Sequence, residues 1–167
     1  MKMQMGAPAP AVRAHEELFA YWASLREGGR LPARAHIQPD HFKRHLPTIS
    51  LIDVRSGEGL HRFDYRLRLA GTGLYGVYGR EITGRGLADV YSAPAADYWR
   101  GELDKVVEQR RPGVGVHSLA WRGANHLSLL WLRLPLASNG RDVDMILGYD
   151  ALIGFQGSAN PTGIRAA

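Results

Sequence analysis

The chain has 167 residues, 45% of them hydrophobic and 22% charged, with a formal net charge of +5 and no cysteine. That length gives one domain with a real core, and the lack of cysteine excludes disulfides, thiolate metal sites, cysteine nucleophiles and light sensing through a cysteine adduct. No stretch approaches the length of a membrane span, the first ten residues lack the apolar run of a signal peptide, and no five basic residues fall together, so a cytoplasmic protein with neither a membrane nor a nucleic-acid partner is expected.

Residues 1–11 are rich in Ala, Pro and Met and read as a disordered N-terminus. A helix is expected over residues 12–27. Leu18, Trp22 and Leu25 recur at i, i+4 and i+7 with Phe19 beside them, and Gly28-Gly29 ends the run. This apolar stripe is too large for a freely solvated helix, so it is expected to pack on a sheet face, alone or within a dimer interface. A short helix is expected over residues 39–46, with Pro39 in its first turn and Pro47 as its stop. His41 and His45 on it are spaced like two metal ligands, but the sequence places no third, and no metal site is predicted.

Residues 49–55 and 61–70 read as a hairpin joined by Ser56-Gly57-Glu58-Gly59. The second strand alternates. Phe63, Tyr65, Leu67 and Leu69 share one face, while Arg62, Asp64, Arg66 and Arg68 share the other, the pattern of an antiparallel sheet with one wet face. Next comes Gly71-Thr72-Gly73-Leu74-Tyr75-Gly76, with Asp89 lying 18 residues past Gly71. That is the outline of a dinucleotide fingerprint, G-x-G-x-x-G with a later ribose-binding acid. Its surroundings argue against it. The preceding strand alternates instead of being wholly apolar, and the stretch before Asp89 holds Arg80, Glu81, Gly84, Arg85 and Gly86, which cannot form a buried strand. The glycines of residues 71–90 are read as hinges where the chain leaves a sheet for short helices.

A longer helix is expected over residues 93–110, capped by Ser92 and stopped by Pro112-Gly113, with Tyr98 or Trp99, Leu103, Val106 and Val107 on its apolar side. Three strands follow over residues 114–121, 126–136 and 143–149. Arg122-Gly123-Ala124-Asn125 and Ser138-Asn139-Gly140-Arg141 are their turns, the Asn-Gly pair being a strong hairpin signal. Residues 126–136 are apolar on both faces: Leu127, Leu129 and Trp131 on one, Leu130, Leu132 and Leu134 on the other. Such a strand is central and needs cover on both sides. Residues 151–167 read as a flexible tail. The fold class is therefore α+β: one five-stranded antiparallel sheet over residues 12–150, with a helical crossover on one face and the N-terminal helices left for the other.

That order is the order of a PAS domain with leading helices added. Several pieces carry a closer resemblance: Tyr21-Trp22 with Leu25-Arg26, Leu31-Pro32-Ala33-Arg34, Pro39, Leu46-Pro47, Phe63-Asp64-Tyr65-Arg66-Leu67, Gly71-Thr72, Gly79-Arg80-Glu81-Ile82-Thr83-Gly84, and Leu134-Pro135-Leu136 before Asn139-Gly140. In this order and combination they resemble a family of short, stand-alone PAS-like proteins from bacteria. The resemblance implies a PAS-like fold and a sensory or regulatory role. It implies no catalytic residues and carries no general cofactor.

A PAS domain binds its ligands between sheet and helices, and Tyr65, Leu67, Tyr75, Tyr78, Tyr98, Trp99, His117 and Trp131 are the candidates to line that space or to fill it. The absence of histidine from residues 93–111 argues against haem held from that helix; flavin without an adduct stays open, and the cofactor is unknown. With no output domain recognised, the chain is expected to act through another protein and to form a homodimer through the first helix, with Leu18, Phe19, Trp22 and Leu25 as packing candidates. The competing reading is a small pocket enzyme of the NTF2-like or isomerase type, using His117, His126 or an aspartate in the cavity as general acid or base. No nucleophile elbow, Ser-His-Asp set or carboxylate pair supports it.

Overall fold

A computed structural model describes residues 9–154. Five strands, β1 (Ile49–Ser56), β2 (Phe63–Ala70), β3 (Gly113–Leu119), β4 (Ala124–Leu136) and β5 (Met145–Gly154), form one sheet in the order β2-β1-β5-β4-β3, with every neighbouring pair antiparallel. Four helices accompany it: α1 (Ala9–Ser24), α2 (Leu74–Tyr78), α3 (Leu87–Val90) and α4 (Ala93–Gln109). The crossover helices α2 to α4 cover the inner face and α1 lies on the outer one. The α+β class, the five antiparallel strands and the hairpin-linked strands on either side of a helical crossover are as the sequence pattern leads one to expect.

Strand β4 shows why both layers exist. Leu129 and Trp131 face α4, while Leu130, Leu132, Leu134 and Leu136 face the other way, and all are buried. On the outer side α1 runs along β4. Leu18 and Trp22 are buried there, and the Trp22 indole N–H donates to the Pro135 carbonyl at 2.8 Å. Leu25 packs partly buried against the same core, and Phe19 is left 40% exposed. The apolar stripe of α1 is thus consumed within its own chain.

Local boundaries differ in instructive ways. α1 spans Ala9–Ser24, not residues 12–27. Pro10 sits in its first turn, where a missing N–H costs nothing, and its last turn tightens through i to i−3 bonds at Leu25 and Arg26. The rest of the segment expected to be disordered, residues 1–8, lies outside the described residues. The helix expected at residues 39–46 is a 3-10 stretch, Pro39–Thr48, broken at Phe42, which has a non-helical backbone (φ −142°, ψ 37°) and a side chain buried in the core. β5 runs on to Gly154 because Leu129 and Leu130 of β4 continue to pair with Leu152 and Ala151. Residues 151–154 of the expected tail therefore belong to β5, and residues 155–167 lie outside the described residues.

The regular alternation expected for β2 fails at one residue. Ile52 pairs with Leu67, but Leu51 pairs with Leu69, so Arg68 is an extra residue in a β-bulge. A one-residue slip moves all that follows to the opposite face. Leu69 therefore joins Leu51 on the outer face, where it is 46% exposed, and does not share a face with Tyr65 and Leu67.

Close approach, not hinging, explains Gly71 and Gly73. Neither has a left-handed backbone. A Cβ on Gly71 would overlap the carbonyl oxygens of Leu46 and Pro47, and one on Gly73 would lie 2.8 Å from the Pro47 oxygen. The motif that outlines a phosphate loop is packed against the chain's own backbone.

Gly115 offers a direct stability test. A Cβ there would sit 2.6 Å from Cζ2 of the Trp131 ring, whereas one on Gly101 in α4 meets nothing within 4 Å. Gly115→Ala is expected to cost about 1–3 kcal/mol through overpacking. Gly101→Ala is expected to stabilise by up to about 1 kcal/mol through helix propensity. Equilibrium urea unfolding of both variants checks the pair.

Candidate functional site

The space between the sheet and α2 to α4 is built around two charges. Arg133 lies on β4 among Leu132, Leu134 and Pro135, and Asp150 lies on β5 between Tyr149 and Ala151. Both are pleated toward the inner face, and they are 2% and 1% exposed. The residue opposite Arg133 in the register is Gly148. A Cβ on it would lie 3.2 Å from Arg133 Nη1 and 2.5 Å from Ser50 Oγ, so the glycine leaves the guanidinium its path. Arg133 Nη1 donates to Asp150 Oδ1 at 2.8 Å, and also reaches the Leu132 and Tyr149 carbonyls at 2.9 and 3.3 Å. Tyr78, from α2, donates its hydroxyl to Asp150 Oδ2 at 3.1 Å, and Tyr91, just past α3, donates to the Tyr78 oxygen at 3.1 Å.

Aromatic rings close this network. The guanidinium lies 4.7 Å from the Trp99 ring centroid and 5.8 Å from that of Trp131, within cation–π range. Tyr91 stacks on Trp99 at 5.8 Å. Burial alone would lower the Arg133 pKa, but Asp150 and the two tyrosines outweigh it and hold the guanidinium charged above its ordinary value. Burial, reinforced by the Asp150 charge, pushes the Tyr78 hydroxyl well up, so that it stays a neutral donor. The remaining cavity holds about 10 Å³ and is bounded by Leu67, Tyr78, Tyr91, Trp99, Arg133 and Asp150 among others. That is room for about one water molecule.

Of the sequence candidates, Leu67, Tyr78 and Trp99 border this cavity. Tyr65 shares the inner face, but its hydroxyl is drawn away to Asp104 at 2.6 Å. Tyr98, His117 and Trp131 form a neighbouring cluster. His117 stacks on Tyr98 at 4.1 Å, and the Trp131 indole N–H donates to the Tyr98 oxygen at 3.0 Å. Burial lowers the His117 pKa. Tyr75 is the exception: it lies on the solvent side of the single helical turn of α2 and is 59% exposed. Leu18, Trp22 and Leu25 are engaged with the outer face of the sheet, as described above.

The two histidines weighed for acid–base work do not meet. His117 faces Leu129 across the strands, and His126 is exposed. His41 stacks on Tyr21, and His45 bonds Glu17 at 2.9 Å, so that pair does not converge either. Among the described residues no three His, Asp or Glu side chains gather to hold a metal.

Arg133, Asp150, Tyr91 and Ser50 are missing from the sequence candidates. A signal for the first two was present. Each is a lone charge within a run of otherwise apolar strand residues, and the two charges are opposite in sign. Such a residue, on a strand covered on both faces, must find its counter-ion inside.

Asp150→Ala strips the guanidinium of its counter-ion and should cost about 3–5 kcal/mol. Adding Arg133→Met should recover much of that loss, because an apolar side chain of similar length leaves no buried charge behind. Urea unfolding of the single and double variants checks this.

A family model described as PAS domain matches residues 11–151. No curated protein sequence matches the chain. Among solved structures, the PAS domain of a protein from Colwellia psychrerythraea aligns with a TM-score of 0.51 at 12% identity, covering 69% of this chain and 96% of that one. The light-oxygen-voltage protein of Rhodobacter sphaeroides aligns with a TM-score of 0.46 at 11% identity, covering 89% and 70%. The matched segment contains β1 to β4, most of β5, the crossover helices and nearly all of α1, and on that match the chain belongs to the PAS domain family.

Proposed function

We propose that this PAS domain is a sensory or regulatory module that transmits its signal through contact with another protein, and that any small ligand it takes enters the space around Arg133 and Asp150. The observation that carries this reading is the state of the inner space. Pockets for cofactor-sized molecules enclose about 300–1,000 Å³, and here the same region is filled by Tyr78, Tyr91, Trp99 and the Arg133–Asp150 pair, leaving about 10 Å³. Flavin or haem does not fit among these side chains as they stand. The sequence supplies no cysteine for an adduct, and α4 supplies no histidine to ligate iron.

The enzyme alternative is the weaker reading. Its general base would be a histidine or aspartate in the cavity, yet both oxygens of Asp150 are engaged, one by Arg133 and the other by Tyr78. His117 lies outside the cavity lining. For association, α1 has spent Leu18 and Trp22 on its own sheet and keeps Phe19 toward solvent. Phe19 is therefore the helix residue best placed to meet a second copy or another partner. No helix among the described residues is long and apolar enough to cross a membrane.

Native mass spectrometry with visible absorption spectroscopy on freshly purified protein tests the reading. The expected mass is that of the polypeptide alone or of its multiples, with at most a ligand of a few heavy atoms, and no visible band. Stoichiometric flavin or haem would overturn it, as would turnover of a substrate that is abolished by Asp150→Asn.

A further inference from the structure

α1 rests on the outer face of the sheet with a histidine in the middle of its contact. His15 is fully buried, and its Nε2 lies 3.2 Å from the Leu130 carbonyl oxygen of β4. A carbonyl oxygen can only accept, so Nε2 carries the hydrogen and Nδ1 keeps a bare lone pair. Nδ1 is itself buried, and no group among the described residues bonds it. The ring meets Tyr149 of β5 edge-on at 5.5 Å.

The charged groups around this ring offer its second nitrogen nothing. On α1 itself, Glu17 turns away to Arg44 at 2.7 Å and to His45 at 2.9 Å. His45 approaches the same Tyr149 ring from the Pro39–Thr48 segment, also at 5.5 Å. On the far side of the sheet Asp150 and Arg133 are paired with each other, and their fields at His15 oppose. A proton on Nδ1 would therefore place a charge and an unbonded N–H inside an apolar contact, and both are costly.

We propose that α1 is an acid-released latch, in which protonation of His15 frees the helix from the sheet and uncovers the apolar outer face of Leu130, Leu132, Leu134 and Tyr149. This device is independent of the reading of the inner cavity. The direction follows from burial, which lowers the His15 pKa in the docked state. A released His15 titrates near the ordinary value of about 6.5. Above that pH neither state binds the proton and the latch has its full strength. Below it only the released state does, so the latch weakens as pH falls, by about tenfold per unit until the docked histidine also titrates. At pH 5 the released population is raised relative to neutral pH, by at most roughly thirtyfold, the limit in which the docked histidine stays neutral throughout.

Amide hydrogen exchange, corrected for the intrinsic rate at each pH, tests this on the whole protein. In the wild type, protection of α1 should fall between pH 7.5 and pH 5, by at most roughly thirtyfold, while protection of β1 and β2 changes far less. His15→Gln keeps a donor for the Leu130 carbonyl but cannot titrate, so its α1 protection should be independent of pH. His45→Gln should retain the wild-type response. Unchanged α1 protection at pH 5, or a response abolished by His45→Gln instead of His15→Gln, would overturn the proposal. Should His15→Gln fail to fold, imidazole NMR of the wild type decides: an His15 pKa at or above the ordinary value rules the latch out.

Discussion

Strand β4 carries large apolar side chains on both faces, and neither face can be left to water. A two-layer fold would satisfy one of them. This chain needs three layers, with α2 to α4 on Trp131 and Leu129 and with α1 on Leu130, Leu132 and Leu134. The leading helix is therefore part of the domain's core, as its buried Leu18 and Trp22 record. From Ser128 to Leu136, where β4 is buried throughout, the cover on both faces leaves no room for a solvated polar residue, and Arg133 sits within that stretch.

Arg133 turns that constraint into an interior polar centre. Its partners come from three elements that are distant in sequence: Asp150 from β5, Tyr78 from α2 and, through Tyr78, Tyr91 after α3. A buried ion pair adds little net stability over a well-packed apolar pair. What it does is penalise every arrangement in which the helices and strands are out of register, because each would leave a charge unpaired. The same side chains occupy the volume in which a PAS domain would hold a ligand. Interior specificity and a roomy pocket compete for one space here, and the side chains hold it.

The sheet was legible because period-two alternation and turn chemistry are local. The hairpins, the doubly apolar strand and the Ser92 cap, whose hydroxyl oxygen accepts the Ala95 N–H, can all be read from neighbouring residues. What stayed hidden depends on contacts between remote segments. The bulge at Arg68 changes the face of Leu69 without altering the composition of β2. Gly71 and Gly73 outline a nucleotide loop, and only the approach of Pro47 shows what they accommodate. At the site, aromatic residues could be proposed from type alone and Leu67, Tyr78 and Trp99 do border the cavity. Asp150 and Arg133 needed the β4–β5 register to become a pair, and Tyr75 needed the orientation of one short helical turn to be placed outside.

The strand order carries a consequence for how the chain is made. β1 is hydrogen-bonded on one side to β2, its neighbour in sequence, and on the other to β5, the last of the five strands in chain order. Synthesis runs from the N-terminus, so the β1–β2 hairpin exists for some time with the β1 edge open, on a strand that carries the apolar residues Ile49, Leu51 and Ile52. An open apolar edge is a template for pairing with any other chain. Closing it requires the longest loop in the sheet, and the entropy of that closure is met before the contacts reward it. The β1 edge of a nascent chain thus stays open from the emergence of the β1–β2 hairpin until residue 145 and those after it have emerged, and it is β5, inserted between β1 and β4, that ends the exposure.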